Sequence, residues 1–96
     1  MITHIVFFRL SDPSPVNLRA TQDMLCSMQG KIPQLRHLEV GTDLVKSDRS
    51  YDLALVTRFD SLDDLQSYQE HPYHADTVVP FIKQIASATA TVDYEK

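Results

Sequence analysis

The chain has 96 residues, of which 43% are hydrophobic and 23% are charged, as in a soluble globular protein with one core. Its formal net charge of −4 removes the electrostatic attraction that nucleic acid or an anionic membrane surface would need. No run approaches the roughly 20 apolar residues that span a bilayer. We therefore expect a single domain over residues 1–96, with neither nucleic acid nor membrane as a partner.

Two features of the sequence concern its compartment. The first ten residues, MITHIVFFRL, lack the basic leader and the small-residue cleavage site of a signal peptide, so we expect them to be folded structure. The single cysteine, Cys26, excludes an intramolecular disulfide and fits a reducing, cytoplasmic environment. We expect Cys26 to be a small buried hydrophobic side chain on a helix.

The first predicted strand covers residues 2–10, and both of its faces are largely apolar. Alternate side chains of a strand point to opposite faces. One set is Ile2, His4, Val6, Phe8 and Leu10, and the other is Thr3, Ile5, Phe7 and Arg9. Helices of a small α+β protein usually cover one face of an antiparallel sheet. Because so short a chain has little left to cover the second face, we infer a partner subunit.

A helix is predicted to follow, with Ser14 as its N-cap and Pro15 at its first position. Apolar residues at helical spacing continue it to about Gln29, and Gly30 is suited to end it. Within this stripe, the pair Met24 and Met28 is compatible with a ligand pocket, although such stripes more often belong to the core.

Two further strands are predicted over residues 35–45 and 51–59, and Gly41 in the first of them indicates a bulge or bend. Ser61 with Asp64 then approximates a capping box. Three apolar residues at three-residue steps predict the buried face of a second helix, which Pro72 ends: Leu62, Leu65 and Tyr68. A turn at 72–76, a short helix over 78–85 and a strand over 88–94 complete the chain.

This order of elements, βαββαβ, defines the fold class. It predicts an α+β, ferredoxin-like protomer with a four-stranded antiparallel sheet and helices on one face. Two such sheets packed face to face would cover the second apolar face of the first strand. The expected assembly is therefore a homodimer joined through its sheet faces, a dimeric α/β barrel.

Particular stretches of the chain resemble the stress-responsive dimeric α/β-barrel (Dabb) domain proteins. They are THIVFFRL at the start, SYDLALVTRF followed directly by DSLDDLQSYQEHPYHAD, and VDYE at the end. The resemblance spans essentially the whole chain and implies a ferredoxin-like protomer and a symmetric homodimer. Many members of this family have no established chemistry. One plant branch is a polyketide cyclase that closes a linear poly-β-keto thioester by aldol condensation, without a cofactor.

The resemblance to that branch also implies roles for three residues. Its general base is a histidine of the HP.H segment, which matches His74. A tyrosine on the preceding helix assists the base and matches Tyr68, and a pocket histidine on the first strand matches His4. A further pocket tyrosine of the branch falls near Leu25, where this chain has no hydroxyl. The expected chemistry is thus lyase or isomerase chemistry without a cofactor or metal.

The residue types support the same site independently. Histidine moves protons near neutral pH, and a tyrosine hydroxyl can bind a carbonyl or phenolate oxygen. His4 shares its strand face with apolar residues, which predicts an apolar cleft that binds a small apolar or carbonyl ligand. The expected ligand-binding walls of this cleft are Val6, Phe8, Leu25 and Leu55.

Structural alternatives stay open for each of the three polar residues. His74 could brace the turn after Pro72 by donating to a backbone carbonyl, and His4 and Tyr68 could be core residues with satisfied polar atoms. His71, His74 and Asp76 lie close in sequence, but their spacing matches no zinc signature. On the alternative interpretation, the protein is a non-catalytic dimer that serves ligand sequestration, assembly or stress tolerance.

Overall fold

The computed structural model describes all residues from Met1 to Lys96. Its four strands are β1 (Ile2–Leu10), β2 (His37–Thr42), β3 (Leu53–Phe59) and β4 (Ala86–Glu95). The helices are α1 (Pro15–Cys26), α2 (Leu62–Glu70) and α3 (Val79–Ile85). A π-helical segment, Tyr73–Val78, leads directly into α3. The predicted element order is confirmed.

The four strands form one antiparallel sheet in the order β2-β3-β1-β4. The core lies between the helices and one face of this sheet, which we call the inner face. Phe8, Leu55 and Phe59 of the sheet are buried there together with Leu25 and Tyr68 of the helices. The ferredoxin-like fold is therefore confirmed, with β1 at the centre of the sheet.

The helix ends follow from local sequence. The Ser14 hydroxyl accepts a hydrogen bond from the backbone N–H of Asn17 at 3.3 Å, and Pro15 occupies the first helical position. The Ser61 hydroxyl does the same for Asp64 at 3.1 Å. Gly30 adopts a φ of +83°, a conformation that side chains other than glycine rarely accept, in the turns after α1. The N-cap predictions for Ser14 and Ser61 are confirmed, whereas the prediction that Gly30 ends α1 is wrong, because the helix ends at Cys26 with Ser27 as its C-cap.

Two predicted burials are wrong. Cys26, the last residue of α1, is exposed, although its neighbour Leu25 is buried. Leu62 is also exposed, whereas Leu65 and Tyr68 are buried. Each three-residue step falls short of a full helical turn by about 60°, so two steps rotate Leu62 by about 120° from Tyr68. A stripe at steps of three alone therefore overestimates the buried face.

The remaining differences concern element boundaries and irregularities. α1 ends before the predicted Gln29, and β2 and β3 are shorter than predicted. Gly41 pairs with Ala54 in an unbroken ladder, and the bulge lies instead where β4 passes Arg9 and Leu10. The predicted turn at 72–76 is helical. No helix of the structure is long and apolar enough to cross a membrane.

Candidate functional site

A cavity of about 540 Å³ lies between the inner face of the sheet and the helical layer. Most of its wall is apolar. The structure places all seven residues selected from the sequence on this wall: His4, Val6, Phe8, Leu25, Leu55, Tyr68 and His74. Strands β1 and β3 supply four of them, and α1, α2 and the π-helical segment supply one each. Their convergence makes this cavity the candidate site.

His4 lies on the inner face of β1 and is 5% exposed. Its Nδ1–H donates to the carboxylate of Asp93, which stands directly opposite on β4 in the antiparallel register. No protein group bonds the Nε2 atom of the ring. The carboxylate thus fixes the orientation and tautomer of His4. Sequence reasoning missed Asp93, since only the register between the first and last strands brings the two residues together.

Tyr68 is fully buried on α2 and connects the two histidines. Its ring centroid lies 4.6 Å from that of His74, 6.1 Å from that of His4 and 4.8 Å from that of Phe59. The hydroxyl donates to the Sδ atom of Met28 at 3.5 Å. Burial raises the pKa of Tyr68 far above its ordinary value, so the hydroxyl stays protonated. Tyr68 is therefore a hydrogen-bond donor rather than a base.

The local backbone explains where His74 lies. His71 leaves the helical conformation with a ψ of 136°, as the following Pro72 requires, and the chain re-enters a helix as a π-helical segment. The Nδ1–H of His74 donates to the backbone carbonyl of Gln69, in the last turn of α2, at 3.1 Å. His74 thus braces the turn and lines the cavity at once, and its Nε2 atom has no protein partner.

His74 is half-buried, and this burial lowers its pKa below the ordinary value of 6.5. The hydrogen bond to the Gln69 carbonyl acts in the opposite direction, because it favours the charged ring. The charges of His4 and His71 lower the pKa further. His74 is consequently neutral near pH 7, with the proton on Nδ1 and a lone pair on Nε2.

We expect an NMR titration of the His74 ring to give a pKa below 6.5. As the pH falls from the ordinary pKa of His74 in the unfolded chain towards its lower pKa in the folded chain, the unfolded chain binds more protons than the folded one. The contribution of His74 to stability is complete above pH 6.5 and is lost across that window. A His74 pKa at or above 6.5 would contradict the assignment.

Several wall residues were not selected from the sequence. Met28, assigned there mainly to the core, belongs to both the core and the cavity wall. Val79, Ile82 and Lys83 of α3 line the cavity, followed by residues 86–89 and Thr91. The apolar residues of α3 were a usable signal. No comparable signal in the sequence predicted that β4 lines the cavity, because its small alternating residues are typical of any strand.

The four-stranded antiparallel sheet with helices on one face is a ferredoxin-like fold, and the cavity between the two layers is its candidate site. The model of the Stress Responsive A/B Barrel Domain family, Dabb, matches residues 2–96. The chain belongs to this family. No curated protein matches this chain.

Solved structures give the same result for the fold. A dimeric protein of unknown function from Bacteroides fragilis, with a ferredoxin-like fold, has 30% identity and a TM-score of 0.84, covering 99% of this chain and 95% of its own. A dimeric ferredoxin-like protein from Thermobifida fusca has 28% identity and a TM-score of 0.86, with 99% and 90% coverage. The hydroxynitrile lyase from Passiflora edulis has 23% identity and a TM-score of 0.76, with 97% and 90% coverage.

Proposed function

We propose that this Dabb domain binds a small, largely apolar ligand that carries a carbonyl or hydroxyl oxygen. The observation that carries the proposal is the cavity of about 540 Å³ with His4, Tyr68 and His74 on one mostly apolar wall. Small-molecule sites typically occupy roughly 300–1,000 Å³ and combine apolar walls with a few polar groups. The aliphatic and aromatic wall would hold the body of the ligand. A ligand carbonyl would accept a hydrogen bond from Tyr68, and a ligand hydroxyl would donate one to Nε2 of His74 or His4.

The polar groups are suited to this role because their protein hydrogen bonds leave capacity for a ligand. Both histidines bond through Nδ1 and leave Nε2 free. The Tyr68 hydroxyl bonds only the thioether of Met28, which is a weak acceptor. A ligand oxygen could replace that sulfur at little cost. The proposed site thus offers one neutral hydrogen-bond donor, the Tyr68 hydroxyl, and two imidazole nitrogens that can accept hydrogen bonds.

Calorimetry with benzylacetone, an apolar ketone, tests the proposal. We expect the ketone to bind, and Tyr68→Phe to weaken it about two- to tenfold, because the variant removes the donor of one net hydrogen bond worth about 0.5–1.5 kcal/mol. Tyr51→Phe is the matched control, because it removes a tyrosine hydroxyl outside the cavity. Ile82→Trp fills the cavity from α3 and should abolish binding. Unchanged affinity in Ile82→Trp would contradict the proposal.

A second candidate function, catalysis without a cofactor, is supported by the state of His74. Its lowered pKa and its Nδ1–H bond to Gln69 leave a neutral ring with a free Nε2, as a general base requires. We propose that Nε2 removes a proton from the carbon next to a ligand carbonyl. The Tyr68 hydroxyl would donate to the resulting enolate oxygen, and His4, held by Asp93, would line the pocket beside it. This is polyketide-cyclase-like lyase or isomerase chemistry.

The likeness to the Passiflora edulis hydroxynitrile lyase contributes the fold alone to this second candidate, since the identity is 23%. The roles of His74, Tyr68 and His4 rest on their geometry in this chain. Leu25 is 1% exposed and supplies an aliphatic wall with no hydroxyl. A substrate for this site would therefore find fewer hydrogen-bond partners towards α1 and more apolar surface there.

We also propose that two copies pair through the outer face of the sheet, the side opposite the helices. Phe7, Val92 and Tyr94 are large apolar residues of this face, and they are 40%, 57% and 43% exposed in one chain. The register places Val56, Ile5 and Val92 side by side across three strands. An exposed apolar face of this extent is typical of an interface. The Bacteroides and Thermobifida relatives are dimeric proteins.

A further inference from the structure

The charges around the cavity are unbalanced. Among its 18 lining residues, Lys83 alone carries a formal charge at neutral pH, and none is an aspartate or glutamate. The whole chain has the opposite bias, with 13 acidic against 9 basic side chains. Asp93 contacts the wall residue His4, and its carboxylate already accepts a hydrogen bond from that histidine. The positively charged side chain of Lys83 therefore lies at an apolar cavity in a protein whose net charge is negative.

Lys83 has no carboxylate partner. The ion pairs of the structure involve His4, Arg19, Arg36 and His37, and none involves Lys83. It lies in the last turn of α3 and is exposed, whereas the wall residues Leu25 and Tyr68 are almost fully buried. The cavity thus has an enclosed apolar end and an open side lined by exposed residues, of which Lys83 is the one that carries a charge. A lysine can lay its methylene stem along an apolar wall and keep its ammonium group in water.

We propose that the ligand is an apolar monoanion whose carboxylate pairs with Lys83 at the open side of the cavity. This inference rests on the proposed ligand site and names the class of compound that fits it. The apolar body would fill the enclosed end, against Leu25 and Ile82. A cationic ligand would instead meet a like charge at the opening, and no carboxylate of the wall offsets it. The cavity therefore selects the ligand's charge as well as its shape.

Two ligands of nearly the same shape separate charge from burial. Phenylbutyrate carries a carboxylate, and phenylbutyramide replaces it by a neutral amide that keeps the carbonyl. We expect the native chain to bind the carboxylate about 1.4- to fivefold more tightly than the amide, as for a solvent-accessible ion pair. Raising the salt concentration should reduce this preference, because exposed charges are screened.

Variants assign the preference to one side chain. Lys83→Met keeps the apolar stem and should remove the preference for the carboxylate without changing the affinity for the amide. Lys83→Arg keeps the charge and should keep the preference. Lys46→Met, in the exposed loop between β2 and β3, changes the net charge equally and should leave the preference intact.

Each of the other possible outcomes refutes a specific part of the proposal. If the amide binds and Lys83→Met retains the carboxylate preference, the ligand site stands and the role of Lys83 is refuted. If the native chain binds both compounds equally, the anion class is refuted. If neither compound nor benzylacetone binds, the proposed ligand site itself fails, and the role of Lys83 fails with it.

Discussion

Replacing His74 by Gln is expected to slow the exchange of the α-protons of benzylacetone for deuterium about 10²- to 10⁴-fold, the usual contribution of a positioned general base. In D₂O, Nε2 of His74 would take the proton next to the carbonyl, and the enolate would recover a deuteron from solvent. The Tyr68 hydroxyl would stabilise the enolate oxygen in between. The exchange is read directly from the loss of the α-proton NMR signals.

The control for this loss is His37→Gln, which removes an exposed histidine of β2 and should leave the exchange rate unchanged. Tyr68→Phe should lower the rate without changing its pH dependence, because the base is still present. The native rate should fall as the pH decreases through the lowered pKa of His74. If His74→Gln exchanged the α-protons as fast as the native chain while still binding the ketone, the base role would be refuted.

The second large effect concerns assembly. Val92→Asp should convert the proposed dimer to monomers, because the substitution places a charge on the outer face of the sheet in both copies. An uncompensated buried charge costs about 3–5 kcal/mol when its partner is missing. Val92 is 57% exposed in the single chain, so the protomer itself should tolerate the change. Sedimentation equilibrium should give the mass of two native chains and of one variant chain.

Val16→Asp is the matched control for the dimer, since Val16 lies in the first turn of α1 and is 77% exposed. It introduces the same charge on the helical side and should leave the mass of two chains unchanged. A circular dichroism spectrum shared by all three proteins would show that the protomer fold persists. A native chain that sediments as a single chain at micromolar concentration would refute the proposed interface.

Local signals account for most of the predicted fold. The two-faced pattern of β1, the Ser14–Pro15 start of α1 and the Ser61 cap of α2 are short-range features, and each is confirmed. The errors also have physical sources. Leu62 was misplaced because a step of three differs from the helical period, and the π-helical segment escaped notice because its i to i+5 hydrogen bonds leave no periodic pattern in six residues.

The candidate site was partly visible in the sequence. The resemblance to the cyclase branch, supported by the residue types, selected His4, Tyr68 and His74, and the fold brings all three to one cavity. Asp93 and Lys83 escaped selection for a different reason. The contact of Asp93 with His4 depends on the β1–β4 register, 89 positions apart in the chain, and the position of Lys83 depends on how α3 packs. Both are tertiary facts.

The central claim, that the cavity binds a ligand oxygen beside His74, is tested most directly by an NMR titration with benzylacetone. Saturable shifts should appear at the His74 ring and at backbone amides of the cavity wall on β1, α2, α3 and β4. The amides of β2 outside the cavity should stay in place, and the Ile82→Trp variant should show no saturable shifts. Shifts confined to the outer face of the sheet, or no saturable shift in the native chain, would contradict the claim.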